Sequence, residues 1–243
     1  DAVVAELSAR KLIKRRLQTA ADHFNRDVKK GVQFLQSVGL LSDPLLPEEM
    51  AWFFKNSIGL DKRAVGDYLG ERDELNQAVL HKFVALFDFR HVSVDDSLRI
   101  LLSSFRLPGE SQKIDRIAEA FSQHYFSQRP LDGEGPSRGG FHSWDTVHIL
   151  TFSIIMLNTD LHNPQVKKRM TLDEFVRNNR GINECKLRKI REDVPRDWLV
   201  HIYESIKTNE IKIKDEAGPA PGPAAPPEPV PDGLGPRQAW VEG

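Results

Sequence analysis

An all-α fold follows from three features of the 243-residue sequence. Apolar residues recur at helical spacing in segment after segment, capping residues and glycine stops bracket those segments, and no alternating run of useful length points to a strand. Residues 2–24 place Val3, Leu7, Leu12, Ile13, Leu17, Ala20 and Phe24 at helical positions beside a basic cluster, Lys14, Arg15 and Arg16, that reads as a solvated face. Residues 30–41 space Val32, Leu35 and Val38 for a short helix that stops at Gly39, and Asp43-Pro44 opens a loop. A third helix covers residues 47–58 with Met50, Phe53 and Phe54 on one side, and Asp61 is placed to cap a fourth that ends at Gly70. Residues 74–88 carry Leu75, Val79, Phe83 and Phe87 at four-residue spacing.

Ser93 caps a helix over residues 94–105, with Asp95 and Asp96 in its first turn, where the macrodipole favours acids. After a Pro108-Gly109 corner, residues 111–127 repeat the pattern with Ile114, Ile117, Phe121 and Tyr125, and a Gly/Pro-rich loop fills 128–140. Ser143 caps residues 144–161, apolar nearly all round and therefore expected to be the most buried element. Asp145 reads as a further aid to that cap in preference to a partner contact. Thr171 and Glu174 form a capping box for a helix that Gly181 ends, and residues 198–207 make a last helix from Leu199, Ile202, Tyr203 and Ile206. Past Glu216 the composition changes. Eight of the fifteen prolines fall between Pro219 and Pro236, so residues 215–243 are expected to be a disordered linker after a helical module at 1–214.

Charge is nearly balanced, with 34 Lys and Arg against 35 Asp and Glu, which argues against nucleic acid as the main partner. The single cysteine, Cys185, excludes a disulfide framework, no Cys/His spacing suggests a metal site, and a reducing cytosolic setting is the natural expectation. The longest apolar run, residues 147–157, is too short to cross a bilayer. The chain opens on Asp1, as a piece of a longer protein would. No phosphate loop, nucleophile elbow or zincin motif is present, so a metabolic enzyme with a small-molecule substrate is not expected, and no fixed period suggests an α-solenoid.

Two stretches carry the functional signal. FRLPGESQKI, from Phe105 to Ile114, bends the chain at Pro108-Gly109 and presents Glu110 at the start of the next helix. Alone, Glu110 would read as an acid favoured by the macrodipole. IIMLNTDLHN, from Ile154 to Asn163, followed by MTLDEFVRNNRGI from Met170 to Ile182, is the second. Together they resemble the paired motifs of the Sec-seven domain, the catalytic module of guanine-nucleotide exchange factors for the small GTPase Arf. KGVQFL at Lys30–Leu35 resembles the opening of that domain, and LDKRAVGDYLGERDE at Leu60–Glu74 looks most like the large Golgi exchange factors inhibited by brefeldin A. The resemblance covers residues 20–212.

The resemblance implies a right-handed array of about ten helices that promotes GDP release from Arf and so regulates vesicle trafficking. It gives Glu110 the role of the glutamic finger, and it implies no cofactor or metal of the chain's own, acting instead on the GDP and Mg²⁺ of the partner. Ile155, Met156 and Leu161 match apolar positions of a groove for the GTPase switch regions, although Ile155 and Met156 fit an ordinary core equally well. Asn163 matches an asparagine that bonds the partner's backbone. Three of four positions of the brefeldin-sensitive pattern match: Ser153, Asp160 and Met170 are present, but Phe152 stands where that pattern has tyrosine, which leaves sensitivity open. Lys113 and Asp115 are expected on the helix surface, His162 carries no titration role, and Lys167, Lys168 and Arg169 read as a solvated turn. The 184–193 stretch and the 130–140 loop look longer than the family's usual gaps and are expected to be tolerated surface insertions. Peripheral recruitment from the cytoplasm to Golgi or endosomal membranes is implied too. The alternative is a scaffold that keeps the fold and binds a GTPase or adaptor without exchange; such a scaffold could lose the glutamate at no structural cost, and here it is present.

Overall fold

The computed structural model describes residues 2–131, 138–184 and 193–213, with side chains from Lys11 onward. They form ten α-helices and, among the described residues, no strand, only isolated bridges that pair Arg138 with Leu131 and Phe141. The helices are α1 (Ala2–Arg26), α2 (Val28–Ser37), α3 (Pro47–Asn56), α4 (Lys62–Gly70), α5 (Glu74–Ala85), α6 (Val94–Ser104), α7 (Ser111–Ser127), α8 (Trp144–His162), α9 (Leu172–Asn178) and α10 (Arg196–Thr208). The expected linker at 215–243 and Cys185 lie outside the described residues. Contacts divide the described residues into two compact units, one up to Phe83 and one beginning at Val84 and ending before Asp215.

In the first unit α1 and α2 are separated by a single residue, Asp27, whose carboxylate accepts from the Lys30 backbone N–H at 3.0 Å and starts the new helix. Gly31 makes this reversal possible. A Cβ there would lie 2.7 Å from the Phe24 backbone nitrogen and closer still to its Cα, so only glycine lets the two backbones meet. The crossing delivers Phe24 into an aromatic cluster, with ring centroids 5.3 Å from Phe54 and 6.1 Å from Phe53, and Phe54 reaches Tyr68 at 5.2 Å and Phe83 at 6.4 Å. Asn25 ties the α3–α4 loop to α1 by donating to the Gly59 carbonyl and accepting from the Asp61 N–H, both at 2.7 Å. Asp61 caps α4 as expected, through the Arg63 N–H at 2.8 Å.

The second unit is built around α8. Along that helix Val147, Leu150, Thr151, Ile154, Leu157, Asn158 and Leu161 are buried, at the spacing of one broad inward face. The helix is not buried on every side, since Ile149 is 48% and Met156 63% exposed. The caps at Ser93 and Ser143 and the Thr171–Glu174 capping box form as the sequence indicates. Asp145 is exposed in the first turn of α8 and Ser143 makes the cap bond. Helices α6 and α10 are joined by a polar contact, Ser205 Oγ donating at 2.6 Å to Asp95, a fully buried carboxylate.

A short segment after α10 closes the unit. Arg99 on α6 donates to the Asn209 and Glu210 carbonyls at 2.8 and 2.9 Å, and the Leu107 N–H donates to the Ile213 carbonyl at 3.2 Å. Asn158 bonds both backbone groups of Ile211, donating at 3.0 Å and accepting at 2.7 Å. Asn158→Ala should therefore lower unfolding free energy by about 2 kcal/mol, because two buried backbone groups lose their partners. Denaturant titration with an unchanged m-value checks this.

Burial holds two phenols in their neutral form, pushing Tyr68 and Tyr125 each up to about 12, with the guanidinium of Arg129, 4.1 Å above the Tyr125 ring, acting in the opposite sense. In the unfolded chain a tyrosine titrates at about 10. A raised folded value means that the stabilisation is complete below pH ~10 and is lost as pH rises from there to ~12. Thermal melting is expected to be flat with respect to these phenols at neutral pH and to weaken across that alkaline window, alongside the appearance of tyrosinate absorbance.

Candidate functional site

Phe105 and Leu107 are buried and anchor the corner, Pro108 is buried beside them, and the chain surfaces at Gly109 and Glu110. Glu110 occupies the N-cap position of α7 without capping it, so its carboxylate is not used by the helix. The side chain is 73% exposed, and its Oε1 lies 3.8 Å from the ammonium of Lys113. Lys113 is not on the surface as expected: the residue is 8% exposed and lines up with buried Ile117, Phe121 and Tyr125.

The glycine before Glu110 is not demanded by the fold. Gly109 is absent from the left-handed region, and a Cβ there would meet nothing within 4 Å. Gly109→Ala should raise stability by roughly 0.5 kcal/mol by stiffening the unfolded chain. Equilibrium unfolding tests that.

Helix α7 lies against α8, where Asp115 meets His148 at 3.2 Å and Ser122 meets Thr151 at 3.5 Å. Asp115 is five residues beyond Glu110, about 7.5 Å along the helix axis. On α8 the outward side carries Ile149, Phe152 and Met156 at i, i+3 and i+7, an exposed apolar strip of the kind that marks an interaction surface. Met156 is therefore not core. Ile155 and Phe152 are half-buried, the latter in an edge-to-face contact with His148 at 5.2 Å between ring centroids, while Leu161 at 6% exposure belongs to the core.

The loop after α8 is organised by its own side chains. Asn163 accepts from the Gln165 N–H at 3.0 Å in an Asx turn, and its amide nitrogen donates to none of the described residues. Asp160 accepts from the Met170 N–H, the Met170 carbonyl accepts from Tyr203 at 2.9 Å, and Asn179 donates to Ser153 Oγ at 2.8 Å. Asp160 and Met170 are thus joined directly, while Ser153 is tied to the C-cap of α9. His162 Nε2 is 2.7 Å from the Ile206 carbonyl. Lys167 and Arg169 are exposed, and Lys168 sits 3.9 Å from Glu174. Among the described residues no cluster of three or more His, Cys, Asp or Glu is arranged to hold a metal ion.

The sequence profile of the Sec7 domain matches residues 13–211, which spans both compact units. The chain belongs to the Sec7 domain family. It is 49% identical over 89% of its length to the ARF guanine-nucleotide exchange factor GNL2 of Arabidopsis thaliana, and 47% identical over 84% to human cytohesin-2. It spans 15% of the former's length and 47% of the latter's. It is also 42% identical over 98% of its length to the brefeldin A-inhibited guanine nucleotide-exchange protein 3 of Arabidopsis thaliana, 12% of that protein. Among solved structures the Sec7p catalytic domain is 43% identical, with a TM-score of 0.70 over 80% of this chain and 95% of that one. A Sec7 domain solved with ARF1-GDP and brefeldin A is 40% identical, with a TM-score of 0.68 over 84% of this chain and 96% of that one. The all-α expectation and the family read from the two motifs are both borne out.

Proposed function

We propose that this chain promotes release of GDP from Arf-family small GTPases, with Glu110 as the finger that reaches the nucleotide. The observation that carries the reading is a carboxylate exposed at the head of α7 and left unused by the helix, in a unit whose central helix bares an apolar strip. A GTPase holds GDP through Mg²⁺ and a nest of phosphate-binding donors. A carboxylate brought to the β-phosphate repels it, competes for the lysine that neutralised it and takes the place of Mg²⁺. No covalent bond is made or broken, so the chain needs neither base nor nucleophile nor cofactor.

Ile149, Phe152, Ile155 and Met156 supply the apolar wall for the GTPase switch regions, and the Asn163 amide nitrogen, which donates to none of the described residues, serves backbone recognition. Membrane association is peripheral and indirect, at Golgi or endosomal membranes, consistent with the lack of any helix among the described residues that is long and apolar enough to cross a bilayer. Ser153, Asp160 and Met170 form the side of a brefeldin A pocket, with Phe152 lacking the hydroxyl that the sensitive pattern carries there. The test is release of a fluorescent GDP analogue from truncated Arf with and without the chain, where an unchanged rate would overturn the reading. Met156→Ser, at an exposed site, should leave the melting temperature within a degree or two and raise KM for Arf about tenfold.

A further inference from the structure

Lysine is almost never buried unless something holds its charge, and Lys113 is buried with its ammonium next to the finger. We propose that Lys113 is a positioning residue that latches Glu110 in a resting pose and slows the exchange step; this rests on the exchange reading above. The two ends of the pair differ in freedom, the glutamate side chain being 73% exposed and the lysine 10%. To enter a nucleotide pocket the carboxylate must swing outward, and an ammonium fixed below the surface at the third position of α7 cannot follow it. The attraction is therefore present in the resting state and weakened in the activated one, which raises the barrier instead of lowering it. At 3.8 Å the contact is longer than a hydrogen bond, so the latch is weak enough to open on each cycle. Water reaches the finger, so its charge needs no counter-ion for solvation. A cation left behind near the diphosphate would also favour bound GDP, an effect of the same sign.

The experiment compares the parent chain, Lys113→Met and Lys113→Arg in release of fluorescent GDP from truncated Arf at saturating GTPase. Lys113→Met keeps the buried stem and removes the ammonium. It is expected to raise kcat about threefold at low salt, with the gain shrinking toward unity as ionic strength rises to about 0.5 M. Lys113→Arg should return the parent rate and the parent salt dependence. In a Glu110→Gln background the Met substitution should change nothing. An equal or lower kcat for a folded Lys113→Met, or a gain that persists without the carboxylate, overturns the latch. Lys113→Gln carries the same expectation if the Met variant does not fold, and failure of both to fold would show that the ammonium serves the core and also overturns it. A parent chain that fails to accelerate release would strike the exchange reading itself, whereas an active parent with unresponsive variants strikes the latch alone.

Discussion

Glu110→Lys should reduce GDP release from Arf to the spontaneous rate, a loss of at least about a hundredfold, while the protein stays folded with a modestly lower melting temperature. Both halves follow from where the carboxylate sits. It is 73% exposed and makes no cap bond, so what the fold loses with it is the 3.8 Å pairing to the buried Lys113 ammonium. The substitution instead reverses the sign of the charge delivered to a diphosphate, converting repulsion into attraction. A scaffold would bind the GTPase before and after the change with no difference in nucleotide release, so the same pair of proteins separates the two readings. A Glu110→Lys chain that released GDP at the parent rate would remove the finger from the mechanism.

Gly31→Ala is the second large effect, this time on stability, with a cost of about 3 kcal/mol. The added carbon would fall 2.7 Å from the Phe24 backbone nitrogen, and main-chain atoms cannot rotate away as a side chain can. The α1–α2 crossing would have to open, withdrawing Phe24 from its ring contacts with Phe53, Phe54 and Tyr68. Chemical denaturation should show the loss directly. A variant as stable as the parent would mean that the crossing relaxes freely.

Helix positions were readable because caps and stripes agreed. Ser93, Ser143, Thr171 and Asp61 start helices where an oxygen at the N-cap satisfies an otherwise orphaned N–H. Glu110 was legible by its corner at Pro108-Gly109. Lys113 shows what charge conceals. It heads the strict four-residue series Lys113, Ile117, Phe121, Tyr125, all buried, and the series was visible, but a cationic residue was assigned to the surface on chemistry alone. For α8 the pattern said less: a helix apolar nearly all round does not reveal which side is bare, because hydropathy has little direction there. Asn158 and Arg99 could not be found from the sequence, since their partners lie 53 and more than 100 residues away and are backbone atoms, which carry no residue signature.

Residues 209–213 have no helix of their own, yet they tether α6 through Arg99, the finger corner through Leu107 and the central helix through Asn158. A chain trimmed after Thr208 would lose the strap that joins α6, α8 and the corner before Glu110. The working border of the module is thus set by a few extended residues, and tension applied to whatever follows them would be felt first at the loop that bears the glutamate.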